Sequence, residues 1–151
     1  MDKEFIREKV LPVLLVTIQL GSLVYLLKSA PLLAEDYGGI LVESCGVFLG
    51  LLAIFQMGIG NFNIRPVIRE NGILVTSGVY RVIRHPMYLA QLVAVLPLVV
   101  DYFSYARLAF LLALLLDLLI KIQYEEKRLL AHFEGYAEYM ANSKKLIPFI
   151  Y

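Results

Sequence analysis

The stretch SGVYRVIRHPMY, residues 77–88, is the part of this chain around which the rest is organised. It brings arginines, tyrosines and a histidine together just before the chain returns to almost unbroken hydrocarbon, a costly placement unless these groups bind something at a membrane surface. Pro86 suits the first turn of a helix and pushes the preceding His85 out of helical geometry. We therefore predict that a helix begins here and that its unpaired N–H groups form an anion site beside Arg84 and His85.

The composition places the chain in a lipid bilayer. Hydrophobic residues make up 60% of its 151 residues and the mean hydropathy is +0.72, whereas soluble domains are about 45–50% apolar. The net charge of +1 argues against a nucleic-acid partner, which requires a basic surface. With the single Cys45 and two distant histidines, His85 and His132, we predict no metal site.

Four apolar segments alternate with polar stretches. They cover residues 10–27, 40–59, 87–100 and 108–122. The first two approach the roughly 20 residues that span a membrane, whereas the last two are short and are predicted to form a helical hairpin. We predict a single domain over residues 1–151, an all-α integral membrane protein with about four transmembrane segments. Residues 61–86 and 123–151 would be cytoplasmic catalytic elements, a loop and a C-terminal amphipathic helix that form a cofactor pocket.

The basic residues predict the orientation in the membrane. Twelve of the fourteen lie on one side of the predicted bilayer, and only Lys28 and Arg107 lie on the other. We therefore predict a multi-pass protein with both termini and the active site on the cytoplasmic side. The twelve residues are Lys3, Arg7, Lys9, Arg65, Arg69, Arg81, Arg84, Lys121, Lys127, Arg128, Lys144 and Lys145.

Gly46 and Gly50 lie on one face of the second segment with three residues between them. This spacing predicts close packing against the first helix, with homodimerisation as the alternative. The protein is accordingly expected to be a monomer or a weak homodimer.

The polar stretch after the second segment leaves two structures open. Residues 73–75 and 79–83 could pair as a hairpin. Because an isolated hairpin is only marginally stable, we favour a folded interfacial loop.

A polar stripe follows the last long helix, which we expect to continue as a charged helix over residues 121–140. Asp117, Lys121 and Glu125 recur every four residues and share one face. Asp117 and Lys121 are expected to neutralise each other. Glu125 and Glu126 are adjacent, so they point about 100° apart and cannot share one partner. One of them is therefore expected to face a ligand amine.

The aromatic C-terminal end of the chain is predicted to fold back onto the headgroup layer of the membrane.

The two polar regions share a predicted membrane face and complement each other chemically. Arg81 and Arg84 can bind an anion, and Glu125 and Glu126 can bind a cation. Tyrosine rings would attract a sulfonium by cation–π interaction, on the order of 0.5–2 kcal/mol. This combination is suited to a zwitterionic amino acid that carries a sulfonium.

Three motifs in this order resemble a known signature: SGVYR at 77–81, RHPMYLA at 84–90 and YEE at 124–126. They are followed by Leu129, Phe133, Tyr136, Tyr139 and Ile147-Pro148. Together they resemble the C-terminal half of the integral-membrane isoprenylcysteine carboxyl methyltransferases and the related phospholipid methyltransferases, which use S-adenosylmethionine. Gly58-Ile59-Gly60 could match a Gly-x-Gly of the phospholipid enzymes.

The resemblance implies S-adenosylmethionine as the cofactor and no metal. It implies catalytic roles for Arg84, His85 and Glu125, with Arg84 orienting the cofactor carboxylate or the acceptor. The implied cofactor-binding residues are Tyr80, His85, Pro86, Tyr88, Leu89, Glu125, Glu126 and Tyr136. The chain departs from the pattern at Val79, where proline is frequent, and at Ala90, where glycine is usual.

The methyl acceptor is expected to be lipophilic or membrane-embedded and to enter between the second and third helices, with membrane lipids as further partners. An isoprenylcysteine-like carboxylate, a phospholipid amine and a lipophilic thiol all fit. Two other functions stay open, an NADPH-dependent reductase of the sterol reductase type and a non-catalytic membrane adaptor. The reductase would bind a 2′-phosphate through an arginine cluster. Its candidates are Arg65, Arg69, Arg81 and Arg84.

Overall fold

The structure, a computed structural model, describes residues 9–58 and 72–151. Over these residues the chain forms five α-helices and one 3₁₀ helix, without a β-strand. They are α1 (Leu11–Lys28), α2 (Tyr37–Met57), the 3₁₀ helix (Gly78–Arg81), α3 (Pro86–Asp101), α4 (Tyr105–His132) and α5 (Tyr136–Asn142). The prediction of an all-α protein is confirmed for the described part of the chain.

Two of the helices, α1 and α2, are long and apolar enough to cross a membrane. Of its 21 residues, α2 buries only Gly46 and Ala53. A helix that is apolar on all sides is stable only in a protein core or in lipid, and α2 is not in the core. The shorter α3 is apolar over 16 residues, and α4 carries charges along its length. The four-pass topology therefore stays a prediction.

Helix α3 begins at Pro86, as the sequence predicts. His85 precedes it with φ −122° and ψ 57°, outside helical geometry. The prediction of one continuous helix to residue 140 is wrong, because α4 ends at His132 and α5 starts at Tyr136. Gly135, just before α5, has low helix propensity and marks this break.

Residues 78–81 form a 3₁₀ helix and not the second strand of a hairpin. The backbone of Gly78 has φ +60°, a conformation that favours glycine. A Cβ atom at this position would also lie 2.2 Å from Oε1 of Gln56. The folded loop that we favoured is thus the form that the described residues adopt.

The helices pack in two main pairs, α2 against α3 and α1 against α4, and α3 also contacts α4. The buried core lies where α1, α3 and α4 meet. It consists of Leu26, Val95, Val99, Leu114 and Leu118. This packing brings the N-terminal end of α3 beside the C-terminal third of α4, where the candidate site lies.

The closest helix contact involves Gly46. A Cβ atom there would lie 2.5 Å from the backbone nitrogen of Ala94 and 2.8 Å from its Cα, whereas a Cβ atom at Gly50 would meet Ala90 Cβ at 3.4 Å. The predicted close packing is confirmed, but the partner is α3 and not the first helix. The sequence predicted that the acceptor enters between α2 and α3. At Gly46 and Ala94 the two helices are too close together for a molecule to pass.

The predicted pairing of Asp117 with Lys121 is not formed. Lys121 is fully buried and donates a hydrogen bond to Gln19 of α1, whose Nε2 donates to Gln91 Oε1 at 2.7 Å. Neither carboxylate oxygen of Asp117 has a hydrogen-bond partner among the described residues. Lys121 thus binds Gln19 on the neighbouring helix α1 instead of Asp117, one turn away on its own helix.

The Gly46 contact gives a first prediction. Gly46→Ala should lower the free energy of unfolding by about 1–3 kcal/mol, because the added methyl group meets backbone atoms that cannot move independently. Gly50→Ala and Gly21→Ala are matched controls, since their added Cβ atoms meet ordinary or open space. Thermal unfolding of the three purified variants in detergent measures the difference. Equal stability of all three would contradict the close α2–α3 contact.

Candidate active site

The two polar regions of the sequence meet in space around His85. Its Nδ1 lies 3.5 Å from Oε2 of Glu125, and its Nε2 lies 3.5 Å from Oε1 of Glu126. His85 directly precedes α3, and the two glutamates lie on α4. The expectation that these distant segments adjoin one another is confirmed; the catalytic and binding roles assigned to them stay predictions. The prediction that the two glutamates cannot share one partner is wrong, because each nitrogen of the His85 ring faces a different carboxylate.

Arg84 ties this cluster together. Its Nε donates to Oε1 of Glu126 at 2.7 Å, and the two side chains are only 5% and 8% exposed. Its Nη1 donates to the backbone oxygens of Ser143 at 2.5 Å and Met140 at 3.2 Å. One buried guanidinium therefore connects the segment before α3, helix α4 and the C-terminal segment.

The C-terminal segment runs parallel to residues 82–85. The backbone N–H of Arg84 donates to the Lys144 oxygen at 2.8 Å, and that of His85 donates to the Lys145 oxygen at 3.1 Å. Nζ of Lys145 lies 3.8 Å from Oε2 of Glu126. The sequence predicted a tail on the headgroup layer, whereas the described tail contributes Ser143 and Lys145 to the site. Backbone pairing between segments about 60 residues apart leaves no periodic pattern in the sequence. The sequence analysis therefore did not predict Ser143 or Lys145 as site residues.

Tyr88, on the first turn of α3, donates a hydrogen bond from its hydroxyl to Oε1 of Glu125. Its ring stacks with that of His85, with centroids 5.6 Å apart and planes within 4°. Glu125 is 19% exposed, compared with 8% for Glu126. Of the two carboxylates, Glu125 is therefore the more open to a ligand.

The electrostatics of the cluster favour an ionised histidine. Burial alone would lower the pKa of His85, but hydrogen bonding and attraction by Glu125 and Glu126 outweigh it and raise the pKa above 6.5. Burial would raise the pKa of Glu126, but His85 and Arg84 lower it below its usual 4.5. The distance between His85 Nε2 and Glu126 fits an ion pair, although this nitrogen has no well-aligned hydrogen bond within the described residues.

Three tyrosines enclose the cluster and stay neutral. The hydroxyl of Tyr80 donates to the Ala53 oxygen at 3.2 Å, and that of Tyr139 donates to the Tyr80 oxygen at 2.6 Å. Tyr136 is 1% exposed, and its hydroxyl lacks a partner in the part of the chain that the structure describes. Burial raises the pKa of Tyr80 and Tyr136 strongly and that of Tyr139 to about 12. None of these phenols is a base at neutral pH.

The remaining predicted site residues are less engaged in the cluster. Pro86 is fully buried at the start of α3, Leu89 is half-buried one turn later, and Arg81 is exposed. Arg65 and Arg69 lie outside the described residues, as do the second and third positions of Gly58-Ile59-Gly60.

Val79 illustrates a departure from the sequence signature. Its backbone N–H donates to Oε1 of Gln56, on α2, at 2.8 Å. A proline at this position has no N–H and could not make this bond. Gln56 thus fixes the loop in this chain, and sequence reasoning missed it because the bond crosses between elements.

Comparison with known protein families matches residues 40–131 to the isoprenylcysteine carboxyl methyltransferase (ICMT) family. Comparison with curated proteins and with solved structures finds no match. The family match covers more than half of the chain and includes most of α2, all of α3 and nearly all of α4. The protein therefore belongs to the isoprenylcysteine carboxyl methyltransferase family, whose members are membrane methyltransferases that generally use S-adenosylmethionine. Membership in this family and the two long apolar helices indicate a membrane protein.

The buried Arg84–Glu126 pair gives a second prediction. Arg84→Gln should lower the free energy of unfolding by about 3–5 kcal/mol, because it leaves Glu126 as a buried and poorly compensated charge. Arg81→Gln, three residues away and exposed, is the matched control and should change it by less than about 0.5 kcal/mol. Denaturant or thermal unfolding in detergent measures both. A similar small effect of the two variants would show that Arg84 does not connect the three segments.

Proposed function

We propose that this protein is an S-adenosylmethionine-dependent methyltransferase that acts on a lipophilic acceptor at a membrane surface. The observation that carries the proposal is the junction of His85 with Glu125 and Glu126, inside the family-matched range. It supplies, in one place, a carboxylate with partial exposure, a cation and an aromatic ring.

The residues of the cluster fit the charges of this cofactor. S-adenosylmethionine carries a sulfonium, an amino group and a carboxylate, so it needs both signs of charge. Glu125 offers a partly exposed carboxylate beside the Tyr88 ring. Nε2 of His85 and the hydroxyl of Tyr136 are buried polar atoms that make no hydrogen bond among the described residues, and they are suited to meet polar atoms of a ligand.

Glu125 is the better candidate for the amino group of the cofactor. Glu126 already receives Arg84 at 2.7 Å and lies near both His85 and Lys145. Glu126 therefore lies beside three cationic side chains, whereas Glu125 accepts one hydrogen bond from Tyr88 and lies beside one nitrogen of His85. We accordingly assign Glu126 and Arg84 to positioning, with Glu125, His85 and Tyr88 in contact with the ligand. Direct contact of Arg84 with the cofactor, which the sequence signature implies, stays a prediction.

When bound, the cofactor would supply an electrophilic methyl group to an acceptor aligned with the leaving sulfur. Because the sulfonium would lose its positive charge on transfer, a carboxylate next to it would stabilise the reactant more than the transition state. Glu125 is therefore expected at the amino group, and an aromatic face, which attracts the sulfonium more weakly, is expected near the sulfur. The site contributes mainly alignment and exclusion of water.

The protonation states favour an acceptor that is already ionised. The raised pKa of His85 increases its protonated fraction at neutral pH and weakens it as a base. Tyr136, another candidate base, has a raised pKa and stays neutral. A carboxylate acceptor of the isoprenylcysteine type needs no base, because its pKa is about 4. A phospholipid amine or a thiol would need one.

The remaining expectations concern the setting of the enzyme. We propose four membrane passes with the active site and both termini in the cytoplasm, following the distribution of basic residues. The cofactor would then enter from the cytosol. The acceptor would approach through lipid along a path other than the closed Gly46–Ala94 contact. A monomer allows both the cofactor and the acceptor to enter in this way.

A reductase is less well supported than a methyltransferase. The predicted 2′-phosphate cluster includes Arg84, whose Nε and Nη1 are bound to Glu126 and to the C-terminal segment. Titration with NADPH distinguishes the two enzymes. A non-catalytic adaptor would bind neither nucleotide and would tolerate replacement of His85.

Ligand binding gives the third prediction. The purified protein should bind S-adenosylhomocysteine in calorimetry, and Glu125→Gln should weaken this binding about tenfold, as expected for a lost hydrogen bond to a charged group. Lys144→Ala is the control, because the Lys144 side chain is exposed and only its backbone pairs with the site. Equal affinities of the two variants would refute the role of Glu125. Absence of binding to the unmodified protein would refute the proposed function.

The charge balance gives a fourth prediction. Arg84, Lys145, Glu125 and Glu126 sum to zero, so a protonated His85 makes the cluster positive and disfavours a cationic ligand. The affinity for S-adenosylmethionine should therefore rise, relative to that for S-adenosylhomocysteine, as the pH increases through the raised pKa of His85. The sulfonium lowers the pKa of the neighbouring amino group, so the two ligands titrate differently, and the effect of His85 must be measured against a variant that lacks it.

Calorimetry with the two ligands between pH 6 and 9 measures the ratio. His85→Gln is the control and should show a smaller pH dependence of the ratio than the unmodified protein, even where its affinities are lower. An equal pH dependence in the two proteins would assign the effect to another group.

A further inference from the structure

A shallow groove lies between α1 and α4, at the end of α4 opposite the candidate active site. Its volume is about 540 Å³. The lining residues are Gly21, Val24, Tyr25, Lys28, Ser29 and Phe110. Phe110 and Glu125 are separated by roughly 22 Å along α4, at 1.5 Å per residue. The groove is therefore a separate feature from the methyl-transfer site.

The body of the groove is apolar. The rings of Tyr25 and Phe110 stack with centroids 4.0 Å apart and form one wall. At Gly21, a Cβ atom would meet nothing within 4 Å, so this position leaves open space beside the helix. A shallow apolar groove on the surface of two predicted membrane helices is suited to a hydrocarbon chain.

The mouth of the groove is polar and cationic. Lys28 and Ser29 line it, and Arg107 lies behind Ser29 with only 2% of its surface exposed. Nη1 of Arg107 donates to Oγ of Ser29 at 2.5 Å. Because this oxygen accepts from Arg107, the Ser29 hydroxyl is left to donate its own proton to a further acceptor. The mouth therefore presents an ammonium group and a polarised hydroxyl.

The buried position of Arg107 is costly in two respects. It lies in the first turn of α4, where the positive end of the helix dipole disfavours a cation. Its Nε has no hydrogen-bond partner among the described residues, while Nη2 donates to the Leu98 oxygen at 2.9 Å. An anion near the mouth would offset this cost.

Neither cation forms a close ion pair in the described part of the chain, since no carboxylate there bridges to Lys28 or Arg107. Acids do lie at this end of the helices: Glu35, Glu43 and Asp101 act on Tyr102 together with Arg107. Asp101 accepts from the Glu35 N–H at 2.7 Å and keeps its charge. Lys28 and Arg107 are also the two basic residues that depart from the predicted charge bias; Lys28 lines the groove, and Arg107 lies behind Ser29.

We propose that the groove binds an anionic glycerophospholipid. Its phosphate would contact Lys28 and the Ser29 hydroxyl, and one acyl chain would lie along Gly21 and the Tyr25–Phe110 pair. The lysine and hydroxyl donors at the mouth and the apolar groove below them match the two parts of such a lipid. This proposal is independent of the methyltransferase activity.

Native mass spectrometry of the full chain, released from detergent with added phosphatidylglycerol or phosphatidylcholine, tests the proposal. One phosphatidylglycerol per chain should remain bound preferentially. Lys28→Gln should weaken this binding about fivefold, as expected for one cation near a phosphate. Gly21→Leu should also weaken it, because the leucine fills the groove without a clash. The controls are Lys127→Gln and Val47→Leu, at exposed positions far from the groove.

Two results would overturn the proposal. One is equal retention of phosphatidylglycerol and phosphatidylcholine, or equal loss in the groove variants and their controls. The other is competition by inorganic phosphate at a concentration equal to that of the lipid, which would indicate a soluble anion as the ligand. Thermal unfolding of Gly21→Leu in detergent should match that of the unmodified protein and verifies that the variant is folded.

Discussion

The buried ion pair between Arg84 and Glu126 is the interaction on which the rest of the site depends. Its Nε–Oε1 distance is 2.7 Å, and both partners are almost completely removed from solvent. Removing two charges from water costs several kcal/mol each, so such a pair is stable only when further bonds satisfy its remaining polar atoms. The backbone oxygens of Met140 and Ser143 supply those bonds to Arg84, and His85 and Lys145 lie beside Glu126. The pair therefore specifies the position of the C-terminal segment as well as that of α4.

The position of His85 follows from this constraint and from Pro86. The proline fixes the start of α3 and keeps His85 out of the helix, so its ring can face α4. The parallel pairing with Lys144 and Lys145 then holds the backbone of this segment in place. The two carboxylates that flank this histidine raise its pKa above 6.5, which favours its cationic form and weakens it as a base.

The sequence predicted the local features well because each has a local physical cause. The start of α3 follows from Pro86, and the two long apolar helices follow from hydrophobic length. The meeting of His85 with the glutamates was predicted from chemical complementarity and from the order of the motifs. Contacts chosen by tertiary packing were not predictable in this way. Gly46 predicts a close helix contact, but the sequence does not say which helix is the partner. Lys121 binds Gln19 because α1 places an acceptor beside it, and the periodicity of α4 carries no information about α1.

The two ends of α4 differ in the balance of their charges. At its C-terminal end the charges of Arg84, Lys145, Glu125 and Glu126 balance before a ligand is considered, so a bound molecule must bring both signs of charge or displace a proton from His85. At its N-terminal end Lys28 and Arg107 form no close ion pair among the described residues, so a ligand that brings a negative group can bind there without breaking one. The proposed cofactor carries both signs of charge and the proposed lipid is anionic. The two proposals therefore differ in charge as the two ends of α4 do.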